Sequence, residues 1–129
     1  MPNALVIDDS RAIRMILGRA LEQFGYTVLP AGNGREAMDK VQKELPELAV
    51  VLVDWNMPEM NGLEFVQAFR RLPRYQYQQV PLMMVTAETD TGQMTKALSA
   101  GANEYVMKPF TDEVLAGKLR ILGLLNDCN

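Results

Sequence analysis

Five times along the chain, a short apolar run of strand length leads into a segment with helical apolar spacing, and no two runs are joined by a hairpin turn signal. The runs are residues 4–7, 27–29, 48–53, 82–85 and 104–107. After the first, Ile13, Ile16, Leu17, Ala20, Leu21 and Phe24 fall on one helical stripe, and Gly25 supplies a stop. Asn33 with Glu36, and Asn61 with Glu64, have capping-box spacing ahead of the second and third helices. Pro46 closes the second unit. Helix signals run from Asp90 through Met94, Ala97 and Leu98 to Gly101, and Thr111 opens a last helix bearing Val114, Leu115, Leu119 and Leu122. Residues 73–81, PRYQYQQVP, read as a polar surface connection. Repeated strand-then-helix units imply an α/β fold, a five-stranded parallel sheet with helices on both faces, and right-handed crossovers limit the strand orders.

At 129 residues and 48% hydrophobic, the chain is long enough for a real core and short enough for one domain spanning 1–129. Its net charge of −3 and lack of a basic stretch argue against direct nucleic-acid binding. Histidine is absent and the one cysteine is Cys128, which removes imidazole chemistry, an intramolecular disulfide and the usual zinc sites. The N-terminal stretch MPNALVIDDS is not a signal peptide, and no segment is long enough to span a bilayer, so a cytoplasmic location without membrane insertion is expected. Any chemistry falls to carboxylates, hydroxyls and lysine.

In open sheets of this kind the functional crevice lies beyond the carboxyl ends of the strands. The residues ending the runs share a chemistry. The first run ends in Asp8 and Asp9, the third in Asp54, the fourth in Thr86, and the fifth meets Lys108 and Pro109. Taken singly, each has an ordinary structural explanation: an acid can cap a helix, a threonine suits a strand end, and most lysines are solvated. Together they place three acids, a hydroxyl and an ammonium around one cavity. Lys108 offsets one charge, and the remaining excess suits a hard divalent cation such as Mg²⁺, which takes a few carboxylates with water and phosphate oxygens. A carboxylate nucleophile beside Mg²⁺ and a lysine is equipped for phosphoryl transfer, with Asp54 as acceptor and Thr86 donating to a phosphoryl oxygen.

The segments VIDDS (6–10), VDWNMPEMNG (53–62), MVTAE (84–88) and GANEYVMKPF (101–110) resemble those of response-regulator receiver domains, most nearly the single-domain chemotaxis type. The resemblance covers essentially the whole chain. It implies a flavodoxin-like (βα)5 sheet of order 2-1-3-4-5 and phosphorylation of Asp54 from the phosphohistidine of a histidine kinase or phosphotransfer protein. It implies that Asp9, Asp54 and the backbone carbonyl of Asn56 bind Mg²⁺, with Asp8 acting mainly through metal-bound water. Lys108, before a cis Pro109, would contact the phosphoryl group. Thr86 and Tyr105 would form a switch altering the face made by the helix ahead of the fifth strand, that strand, and the helix after it. Asn56 and Glu88 stand where the family tunes phosphate lifetime. The protein would assist its own phosphorylation and dephosphorylation without being an enzyme in turnover.

The chain is expected to lack an output domain and to act as a monomer on a downstream protein, as in chemotaxis; the alternatives are a phosphorelay shuttle and a phosphate-independent interaction domain. A haloacid-dehalogenase-type phosphatase would need a second acid two residues after the nucleophile, where this chain has Asn56. A flavodoxin-like electron carrier would need a phosphate-cradling first loop, where Asp8 and Asp9 stand. Trp55 is expected to be partly exposed, and the methionines, Met57, Met60, Met83 and Met84 among them, to fill core and loop space.

Overall fold

The computed structural model describes residues 2–44, 46–87 and 91–125. Its strands are β1 (Asn3–Ile7), β2 (Thr27–Ala31), β3 (Val50–Asp54), β4 (Leu82–Thr86) and β5 (Glu104–Met107). Its helices are α1 (Arg11–Gln23), α2 (Gly34–Glu44), α3 (Gly62–Arg70), α4 (Tyr75–Gln79), α5 (Thr91–Ala100) and α6 (Asp112–Ile121). The strands form one parallel sheet of order β2-β1-β3-β4-β5. Because side chains alternate across a strand, a continuous apolar run buried on both faces feeds two cores. Leu5, Ile7, Val51, Val53, Leu82 and Met84 pack with residues of α2, α3, α4 and α5 on one face. Ala4, Val6, Val50, Leu52, Met83, Val85 and Val106 pack with α1 and α6 on the other.

The helix boundaries follow their caps. Ser10 accepts from the Ile13 N–H at 3.3 Å and opens α1, so the cap is the serine rather than either aspartate before it. Gly25, at φ 97°, follows the end of α1. Asn61 and Glu64 complete a reciprocal capping box on α3. Asn33 caps α2 by accepting from the Glu36 N–H, but the Glu36 carboxylate reaches the Gly32 N–H instead of closing the box. Thr111 caps α6. Within the α1 stripe, Leu17, Ala20 and Leu21 are buried, whereas Ile16 lies on the flank and is half exposed.

Residues 73–81 are not merely a polar surface connection. They contain α4, and Tyr77 is fully buried, stacked obliquely on Phe69 and donating its hydroxyl to the Pro46 carbonyl at 2.6 Å. The helix expected ahead of β5 is therefore α5, and the one after it α6. Asp90, Glu88 and Cys128 lie outside the described residues. No helix among the described residues is long and apolar enough to cross a membrane.

Candidate functional site

The chain runs from β1 outward to β2 and then back past β1 to β3, so the strand order reverses between β1 and β3. That reversal opens a crevice at their carboxyl ends. Register decides which side chains stand there. Ile7 pairs with Val53, which sets Asp8 beside Asp54; Asp54 pairs with Val85, and Thr86 with Met107, which brings Lys108 to the same rim. Lys108 donates its backbone N–H to the Thr86 carbonyl at 2.8 Å, extending the ladder, and its bond to Pro109 is cis.

Asp8 is fully buried and Asp54 is 6% exposed, while Asp9 faces solvent. One carboxylate oxygen from each of the three lies within 4.8 Å of the others. Two full charges at that distance repel by about 3.5 kcal/mol at an effective dielectric of roughly 20. Lys108 Nζ offsets part of this, at 2.9 Å from Asp8 Oδ2 and 3.3 Å from Asp54 Oδ1. The other Asp8 oxygen accepts from the Ser10 N–H at 2.9 Å. Asp8 thus holds the lysine at the shorter contact, within ion-pair reach of Asp54.

Burial raises the Asp54 pKa above the ordinary carboxylate value, and the Asp8 charge raises it further, against the opposing pull of Lys108. Burial alone would lower the Lys108 pKa, but its hydrogen bond to Asp8 and the two carboxylate charges outweigh burial and raise it. The site is therefore an acid-rich pocket in which three carboxylates converge near the single ammonium of Lys108, an excess of two negative charges when all are ionised. Three convergent carboxylates, one of them solvent-facing, fit the oxygen-donor preference of Mg²⁺ and leave an open side for water or phosphate oxygens.

The β3–α3 loop is shaped for close approach. A Cβ on Gly62 would stand 2.4 Å from the Asp54 carbonyl oxygen and 2.9 Å from Trp55 Cα, so only glycine lets the Gly62 N–H close on the Trp55 carbonyl at 2.8 Å. Glu59 holds φ at 67°, a left-handed conformation uncommon outside glycine and asparagine. Asn56 lies exposed in this loop, two residues past Asp54.

Tyr105 is not in the acid cluster. It lies, partly buried, against a cavity of about 10 Å³ between β4, β5 and α5, which Thr86 and Trp55 also line. Thr86 is buried and lines the cavity from the carboxyl end of β4. Arg14, not anticipated from sequence, donates to the Asp8 carbonyl at 2.6 Å. A signal for it exists. Helices α2, α3 and α6 carry acids in the first turn and bases in the last, but α1 begins with Arg11 and Arg14. Cations at a helix N-terminus oppose the helix dipole, so their placement beside the acids needs another reason.

The family model for the response regulator receiver domain matches residues 4–120. The chain belongs to the response-regulator receiver family. The receiver is 41% identical over 124 residues to chemotaxis protein CheY1 of Helicobacter pylori, covering 95% of this chain and 98% of that one. It is 44% identical over 121 residues to a chemotaxis protein CheY homolog of Campylobacter jejuni, covering 92% and 91%. Among solved structures, chemotaxis response regulator CheY4 of Vibrio cholerae superposes with a TM-score of 0.85 at 38% identity, covering 95% of this receiver and 98% of that chain. The fold class and strand order expected from sequence are the observed ones.

Proposed function

We propose that this receiver is a single-domain response regulator of a two-component system, phosphorylated on Asp54 from a histidine kinase or phosphotransfer protein. The observation that carries the reading is the Asp54 carboxylate, nearly buried at a strand end, 3.3 Å from Lys108 and within one cluster with Asp8 and Asp9. An Asp54 oxygen attacks the phosphorus of a phosphohistidine; the O–P bond forms as the P–N bond breaks, and its electron pair returns to the imidazole nitrogen. Lys108 Nζ is positioned to meet the negative oxygens of the arriving group, and the Thr86 hydroxyl donates to another of them. Asp9, Asp54 and the Asn56 carbonyl would hold Mg²⁺, with Asp8 acting through water. Once bound, Mg²⁺ neutralises phosphoryl oxygens and relieves the carboxylate repulsion.

Thr86 moving toward the phosphoryl group leaves room beside Tyr105, which turns inward and reshapes the face of α5, β5 and α6 for a downstream protein. The relatives named as chemotaxis proteins support a chemotactic output. On this reading the protein acts in the cytoplasm as a monomer and assists its own phosphorylation without acting as a turnover enzyme. Intact-mass spectrometry after acetyl phosphate and Mg²⁺ treatment tests it. One added phosphoryl group, lost in Asp54→Asn, is expected; an unmodified wild type, or equal labelling of the variant, overturns the reading.

A further inference from the structure

Tyr105 carries a cation over its ring on one side and shares a cavity with an unpaired amide oxygen on the other. On the outer side, α6 sends Lys118 round the open edge of β5, so that its Nζ lies 4.9 Å from the centroid of the Tyr105 ring. The same ammonium is 3.1 Å from Glu104 Oε1, and that oxygen also accepts the Tyr105 N–H at 3.0 Å. Glu104 therefore fixes Lys118 over the neighbouring ring, where the cation meets the negative face of the π system. On the inner side, Gln93 of α5 lines the cavity with Thr86, Trp55 and Tyr105. Its Oε1 is buried and has no hydrogen-bond donor among the described residues. A buried carbonyl left without a donor is unfavourable, and such a group calls for an explanation. The cavity, at about 10 Å³, has room for about one water and not for a ring.

We propose that Tyr105 is poised between these contacts: Lys118, anchored by Glu104, holds the ring at the surface, and Gln93 Oε1 is the acceptor for its hydroxyl when the ring turns in. Gln93, Lys118 and Glu104 are positioning residues that set the resting balance of the switch. The inference rests on the switch role given above to Thr86 and Tyr105. It adds that the balance is written in side chains outside the acid cluster, and so exists before any phosphoryl group arrives.

The test uses the full chain labelled with fluorotyrosine, the Tyr105 fluorine resonance being assigned by its loss in Tyr105→Phe. In the resting protein, Lys118→Met is expected to move that resonance toward a buried environment, raising the inward population about threefold. Lys118→Arg, which keeps a cation over the ring, retains the wild-type position. Gln93→Leu moves the resonance the other way, lowering the inward population about fivefold. Beryllofluoride with Mg²⁺, a mimic of the acyl phosphate, is then added to each variant, and Trp55 fluorescence gives its apparent affinity. Tighter binding in Lys118→Met and weaker binding in Gln93→Leu are expected, and the Gln93 effect vanishes in a Tyr105→Phe background, which has no hydroxyl to donate. A Tyr105 resonance that ignores both substitutions overturns the inference, whatever beryllofluoride does. Resonances that move as expected in a protein that never responds to beryllofluoride support the poised tyrosine and count against the phosphorylation reading alone.

Discussion

The two ends of the sheet treat buried charge in opposite ways. At the amino end, the Arg70 guanidinium at the close of α3 is surrounded by neutral acceptors: the Gly101 carbonyl at 2.8 and 3.2 Å, the Tyr77 carbonyl at 3.0 Å and Asn103 Oδ1 at 3.0 Å. Asn103 Oδ1 in turn accepts the Leu82 N–H at 2.8 Å, tying the cluster to the start of β4. Burial lowers the Arg70 pKa, yet four of its five N–H donors have acceptors in this corner. At the carboxyl end, three carboxylates converge while the Lys108 ammonium pairs with Asp8 and Asp54, and the remaining charge is left open to solvent through Asp9. A satisfied charge holds structure together; an unsatisfied cluster is poised for a ligand. The contrast separates a structural corner from a functional one without reference to any relative.

The largest expected effect breaks the amino end. Arg70→Ala strips donors from two carbonyls and the Asn103 amide oxygen, and should lower unfolding stability by about 3 kcal/mol in urea titrations. Mg²⁺ should leave that loss unchanged. At the carboxyl end the cation is the lever: at about 100 times its dissociation constant, Mg²⁺ should add about 2.7 kcal/mol to the wild type. Asp9→Asn should abolish most of that gain. The same substitution should stabilise the metal-free protein by roughly 0.5–1 kcal/mol, the exposed position of Asp9 limiting the benefit through solvent screening. Unchanged metal-free stability together with an intact Mg²⁺ response in Asp9→Asn would make the two ends equivalent.

The smallest expected effect is a pH slope. Burial and Asp8 raise the Asp54 pKa from its ordinary 3.8, so the metal-free folded state keeps a proton that the unfolded chain has released. Stability is then greatest below pH 3.8 as far as this group is concerned, and is lost as pH rises through the higher folded value. Asp54→Asn should remove that component, seen as a flatter stability curve from acid to neutral pH. Lys108, its pKa raised from 10.5, contributes stability that is present below that value and lost as the pH rises through the higher folded one.

How much of this was legible in sequence follows the same division. Asp8, Asp54, Thr86 and Lys108 could be placed together because apolar runs locate strand ends, and strand ends in a parallel sheet share one rim. Arg70 left no comparable trace, since most of its acceptors are backbone carbonyls, which carry no residue-type signal. The α4 helix was hidden in YQYQQ, five residues too polar and too short to show a period, and the burial of Tyr77 depends on Phe69 and Pro46 arriving from elsewhere in the chain. Lys118 over Tyr105 and Gln93 facing the same cavity join three separate elements, and no local pattern links them.

The claim at the centre is that the charge deficit at the carboxyl ends prepares Asp54 to take a phosphoryl group. Borohydride reduction traps an aspartyl phosphate as homoserine, and peptide mapping then locates it. After acetyl phosphate and Mg²⁺, homoserine at position 54 alone is predicted, with none when Mg²⁺ is chelated. Reduction at a different carboxylate, or none at position 54 with Mg²⁺ present, would contradict the account.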